Sequence, residues 1–95
     1  MSSSPSALPG AVLYRLVVEA EPSSNVLLRL LEPFVIHDVL PHRIDVMTMP
    51  EALSVELEFT AEPDLAERLR GRLEAMVPVR DVACAVIAQP ASVAA

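Results

Sequence analysis

The sequence predicts an α+β domain of ferredoxin-like type: a four-stranded antiparallel sheet with two helices on one face, in the order βαββαβ. Three observations carry this prediction. Four segments alternate apolar and polar residues with the period of two that a half-buried strand requires, and two segments switch to helical spacing. Each helical segment has a single apolar stripe, so both helices must cover the same sheet face. The link between the second and third strands, Pro50-Glu51-Ala52, is as short as a hairpin turn, whereas the other strand-to-strand steps contain a helix and make right-handed crossovers.

The first strand is Ala11 to Glu21, where Val12, Tyr14, Leu16, Val18 and Ala20 form an apolar face and Arg15 and Glu19 break up the other. After Pro22 the period changes. Ser23 or Ser24 can cap a helix whose inner stripe is Leu27, Leu30, Leu31 and Phe34, with Arg29 and Glu32 opposite. Pro33 removes the hydrogen bond to the Arg29 carbonyl, which predicts a kink or a tightened last turn. Asp38 and Pro41 mark the exit. His42 to Met49 reads as a second strand with Ile44, Val46 and Thr48 facing inward. Leu53 to Thr60 alternates cleanly, with Leu53, Val55, Leu57 and Phe59 on one side and Ser54, Glu56, Glu58 and Thr60 on the other. Pro63 suits the first turn of a second helix, followed by acidic residues, and Leu65, Leu69, Leu73 and Met76 line its stripe. After Pro78, Val79 to Ala88 supplies the last strand, in which Cys84 reads as a small buried thiol.

One domain is therefore expected over residues 11–88. Residues 1–10, rich in Ser and Pro, and residues 89–95, a run of mostly small residues, read as disordered tails. A core this small leaves much surface uncovered, and 53% of the residues are hydrophobic, so part of the apolar surface is expected to face another copy or another protein. The chain has seven basic residues, all Arg, and a formal charge of −6. It therefore lacks the basic footprint that holds a phosphate backbone, and nucleic acid is not an expected partner. The Lys-free, Ala-, Val- and Arg-rich composition points to a GC-rich bacterial genome. No secretory signal and no membrane-spanning run is read, and a single Cys fits a reducing cytoplasm.

The segment Glu21 to Phe34, EPSSNVLLRLLEPF, resembles the E-x-x-G-V-L-x-R-(V/L)-x-x-x-F stretch of ACT domains, above all the small regulatory subunits of acetolactate synthase. Val26, Leu27, Arg29 and Phe34 match that pattern, and Leu73 to Ala85, LEAMVPVRDVACA, resembles the L-x-K-L-x-D-V-x-x-V end of the same subunits. The likeness covers residues 12 to 87. It implies a stand-alone regulatory domain that forms a homodimer through sheet edges, binds a small amino acid at the seam and regulates a catalytic subunit. Two positions depart from the family: Asn25 and Asp38 stand where it has Gly. Asn25 either replaces a backbone contact with an amide contact or marks a site without a ligand, and the alternative function is an interaction module that binds no metabolite.

The resemblance places a ligand near the first strand–helix junction, and physical chemistry supports that place independently. A helix N-terminus carries unpaired N–H groups and a partial positive charge, which suit a carboxylate. Ser23, Ser24, Asn25 and Val26 provide that end, Glu21 or Asp38 would hold an ammonium group, and Leu27 would touch an apolar side chain. No cofactor or metal is expected, because His37, Asp38 and His42 match no closed zinc spacing. No catalytic constellation is expected either: Cys84 has no basic neighbour in sequence, and Glu56 and Glu58 lie on the wet face of a strand. The three aromatics, Tyr14, Phe34 and Phe59, fit the inner side of the sheet rather than a base-stacking surface.

Overall fold

The computed structural model describes residues 10–88. Within them the order is β1 (Val12–Ala20), α1 (Ser24–Ile36), β2 (Arg43–Met49), β3 (Ala52–Ala61), α2 (Pro63–Glu74) and β4 (Val79–Ala88). The expected tails lie outside the described residues, apart from Gly10, a turn residue with φ of 83°. The strands form one antiparallel sheet in the order β2-β3-β1-β4, which is the ferredoxin-like arrangement.

The core is built on the two central strands. In register, Tyr14 faces Phe59, Leu16 faces Leu57, Val18 faces Val55 and Ala20 faces Leu53, and all eight are buried beneath the helices. Val26, Leu30 and Phe34 of α1 and Ala66, Leu69 and Leu73 of α2 close the layer above them. Phe59 joins sheet to helix: its ring lies 5.7 Å from that of Tyr14, stacked, and 5.2 Å from that of Phe34, edge to face. Such pairs contribute beyond the area they bury. Among the described residues no polar or charged side chain is buried.

The buried stripe of α1 is Val26, Leu30, Pro33 and Phe34, turned from the expected set so that Leu27 and Leu31 are half-buried flanks. The helix runs through Pro33 to Ile36, because the proline ring joins the core and its carbonyl still accepts the His37 N–H at 3.1 Å. The last turn tightens as expected, with the Asp38 N–H donating to the Val35 carbonyl at 3.1 Å and the Val39 N–H to the Phe34 carbonyl at 2.8 Å. Together these bonds make a Schellman motif. Asp38 takes the left-handed position, with φ of 57°, which explains why a glycine there would be at ease.

The edge strands differ from the sequence reading. Ile44, Val46 and Thr48 do share the core side, opposite Leu57, Val55 and Leu53, yet every residue of β2 is exposed. Strand alternation selects a face, but the helices leave most of each edge strand uncovered. The same applies to β4, where Cys84 is exposed rather than buried. Met76 is half-buried beyond the end of α2 rather than on its stripe.

Two substitutions test this account by equilibrium unfolding. Phe59→Ala should cost about 3–5 kcal/mol. Asp38→Gly should stabilise by about 1 kcal/mol by relieving the left-handed backbone, raising Tm by about 4–8 °C.

Candidate functional site

The end of β1 leads directly into the N-terminus of α1. The Glu21 N–H donates to the Pro78 carbonyl at 3.0 Å, which ties this junction to the start of β4. Ser23 is the N-cap, extended with φ −155° and ψ 136°, and its carbonyl accepts the N–H groups of Val26 at 3.1 Å and Leu27 at 3.2 Å. Its hydroxyl makes no capping bond, and the first turn holds no acidic residue. The N–H groups of Ser24 and Asn25 lie in the turn that has no intrahelical acceptor. The positive end of the helix dipole therefore meets solvent without a carboxylate from its own first turn.

Of the residues expected at this site, the structure brings Glu21, Ser23, Ser24 and Asn25 together at one exposed corner. Val26 instead turns into the core and Leu27 is half-buried against it. Asp38 lies past the far end of the 13-residue helix, about 20 Å away at 1.5 Å per residue. It does not join the others within one chain.

Among the described residues, three clefts lie elsewhere on the surface. One of about 350 Å³ sits at the same end of the sheet, lined by Glu19, Met49, Pro50, Glu51, Ala52 and Arg80. Arg80 spans it, donating from Nη1 to the Glu51 carbonyl at 2.6 Å. A second, of about 490 Å³, opens between α2 and β4 and is lined by Tyr14, Pro63, Ala66, Glu67, Arg70, Val82 and Cys84. There the Arg70 guanidinium pairs with Glu67 and, at 2.7 Å, with Glu74. The hydrogen bond from Arg70 holds the Glu67 carboxyl below its ordinary range. Burial pushes the Tyr14 hydroxyl up, helped by Cys84 and Glu67. Burial also pushes the Cys84 thiol up, with Arg70 opposing and Glu67 adding to the shift. A thiol kept protonated in this way is a poor nucleophile. The third cleft, of about 570 Å³, lies on the outside of α1 along Leu28, Leu31, Glu32, Val35 and Ile36.

The acidic row of β3 is engaged on the open face of the sheet. Arg15 reaches Glu56 at 2.9 Å and Glu58 at 3.2 Å. His42 Nε2 lies 2.7 Å from the Thr60 hydroxyl. Among the described residues no three His, Cys, Asp or Glu side chains converge as a metal site. The sequence reading missed Arg80 and the Tyr14–Arg70–Cys84 cleft, because only tertiary packing brings those residues together.

No protein-family model matches the chain, and no curated protein sequence matches it. Solved structures do match in fold. The ACT domain from GTP pyrophosphokinase of Chlorobium tepidum, determined in solution, superposes with a TM-score of 0.70 at 13% identity, covering 80% of this chain and 88% of that one. An uncharacterised protein from Thermotoga maritima gives 0.67 at 16% identity, covering 81% and 98%. The C-terminal domain of the MgtC protein from Mycobacterium tuberculosis gives 0.66 at 18% identity, covering 87% and 97%. At these identities the likeness is one of fold.

The chemistry of the second cleft sets an expectation for Cys84. Although exposed, it should alkylate with iodoacetamide more slowly near neutral pH than a cysteine in the unfolded chain, with a rate profile centred above the ordinary thiol value. Arg70→Gln should slow it further, because Arg70 is the neighbour that pulls the thiol down. A profile at the unfolded value would show that the cleft does not cover the thiol.

Proposed function

We propose that this chain is an ACT-like regulatory domain that pairs with a second copy through a sheet edge, binds a small amino acid and biases a metabolic enzyme such as acetolactate synthase. The observation that carries the reading is the N-terminus of α1. It is exposed, its hydroxyl cap is unused, and its first turn holds no acidic residue to occupy the positive end, so a ligand carboxylate is the fitting partner. Glu21 lies beside it to take the ammonium group, and Ser24 and Asn25 supply N–H donors. The fold shared with the ACT domain from GTP pyrophosphokinase of Chlorobium tepidum supports the same reading. Asp38 joins this site only if a second copy brings its own Asp38 near.

The mechanism is linkage. A ligand that binds one arrangement of the pair more tightly shifts the population toward it, and the catalytic partner responds to that arrangement. We place the activity in the cytoplasm, where a lone exposed thiol stays reduced. No helix among the described residues is long and apolar enough to cross a membrane.

A second reading, an interaction module without a metabolite, is favoured by the large apolar side chains left exposed on α1 and β2. Thermal unfolding against the standard amino acids separates the two. A ligand at about 100 times its dissociation constant adds about 2.7 kcal/mol, which raises Tm by more than about 10 °C for a domain of this size. A shift confined to one amino acid, and lost on Ser24→Pro, which removes a donor N–H at a first-turn position that tolerates proline, is the expected result. A flat response at millimolar ligand would leave the interaction module.

A further inference from the structure

We propose that the cleft between α2 and β4 is a binding site for a small uncharged ligand that presents a primary carboxamide from an apolar body. It uses none of the residues at the N-terminus of α1 and does not depend on the amino-acid site read there. The cleft holds about 490 Å³, within the roughly 300–1,000 Å³ usual for small-molecule sites. Its floor is the core side of β1 and β4, where Tyr14, Val82 and Cys84 lie. Its wall is a flank of α2, on which Pro63, Glu67 and Arg70 follow at helical spacing beside the buried stripe of Ala66, Leu69 and Leu73.

Tyr14 is the feature that calls for a ligand. The residue is held in the core, 8% exposed, with its ring stacked on Phe59. Among the described residues its hydroxyl makes no hydrogen bond. No buried polar side-chain atom there lacks a partner, so this hydroxyl must open into the cleft that its residue lines. Burial, then the neighbouring Cys84 and Glu67, disfavour its ionised form. It therefore stands in the cleft as a fixed O–H group without a protein partner. The polar tip of a buried tyrosine ordinarily finds one.

The charges select the ligand. Glu67 and Arg70 line the cleft as an ion pair, and Arg70 also donates to Glu74 at 2.7 Å. An anion would meet two carboxylates, and a cation would have to displace Arg70 from Glu67, so a neutral molecule fits. It must accept from the Tyr14 hydroxyl on the floor and donate to the lone pairs that the Glu67 carboxylate keeps free on the wall. A primary carboxamide carries a carbonyl acceptor and an amide donor side by side, one for the floor and one for the wall. It also brings no charge to desolvate. Pro63, Ala66 and Val82 offer the apolar contacts for the body that carries it. Cys84 lies on the same floor, so its thiol reports whether the cleft is filled.

Benzamide is the probe, with benzoate and benzylammonium as anionic and cationic counterparts of similar size. In proton–nitrogen correlation spectra of the full chain, benzamide should shift the amides of Ala66, Glu67, Val82 and Cys84 saturably, with the millimolar affinity expected of so small a molecule. The charged probes should bind about tenfold more weakly or worse. Saturating benzamide should also slow the alkylation of Cys84 by iodoacetamide. Tyr14→Phe keeps the ring that packs on Phe59 and loses only the hydroxyl, so it should fold and weaken benzamide about tenfold. Glu67→Ala, at an exposed side chain, should weaken it similarly. Equal or tighter binding of either charged probe, or an unchanged affinity in either variant, would overturn the assignment. So would shifts that stay linear up to the solubility of benzamide, or a Cys84 rate that benzamide leaves unchanged. None of these outcomes bears on the amino-acid site at α1, which the thermal panel tests separately.

Discussion

The contact on which the rest of the structure depends is Phe59 between Tyr14 and Phe34. It links the two central strands to each other and the sheet to α1 in one cluster. A domain this small has few alternatives, since roughly 60% of its unfolded surface is all it can bury. The buried residues come almost entirely from β1, β3 and the two helices. Both edge strands take their place through backbone ladders to those central strands. If the β1–β3 pair shifted by one residue, the core side chains of the slipped strand would face the open side. Arg15 opposes that slip, because its ion pairs with Glu56 and Glu58 exist only in the observed register. As exposed pairs they contribute little stability, and their effect is on register more than on free energy.

Two helices over four strands also explain where apolar surface remains. The helix layer covers the central strands, and the edges keep the composition of core strands without the cover. The two edges are not equivalent. On the β4 side α2 approaches closely enough to form a cleft with Tyr14, Val82 and Cys84. On the β2 side the flank of α1 is itself apolar and unpaired. The molecule is therefore lopsided, with its polar cleft under one edge and most of its exposed hydrophobic side chains at the other.

Much of this was legible in the sequence. The alternation of Leu53 to Thr60 and of Val12 to Ala20 identified the strands, their inner faces and the three aromatics on the core side. Pro63 marked the start of α2 at the residue where it begins. What stayed hidden follows from geometry that periodicity does not carry. Alternation shows which face Ile44 and Cys84 share but not whether a helix lies above them. The stripe of α1 was ambiguous at its borders because Val26, Pro33 and Val35 are apolar beside the expected positions, so only the packing chose Val26 and Pro33 over Leu27 and Leu31. Asp38 was read as a carboxylate that could hold an ammonium group, and what sequence did not show is that its φ of 57° also gives it a local job in closing the helix. The spacing of Glu67, Arg70 and Glu74 shows their pairing on α2, but neither Arg70 beside Cys84 nor Arg80 beside Glu51 has a signal in local sequence.

Helix α1 is where the remaining features converge. Its N-terminus offers unpaired donors at one corner, its inner face carries Phe34 into the central cluster, and its outer flank is the uncovered apolar surface. An α-helix is a stiff body, and its Schellman end fixes the loop that leads into β2. The N-terminal donors and the uncovered flank therefore belong to the same rigid element. Its position relative to the sheet rests on few side chains, chiefly Leu30, Pro33 and Phe34. Coupling between two sites requires a shared element whose placement both can bias. Among the described residues α1 is the element that carries both features, whereas α2 packs beside β4 and carries its own Glu67–Arg70–Glu74 row.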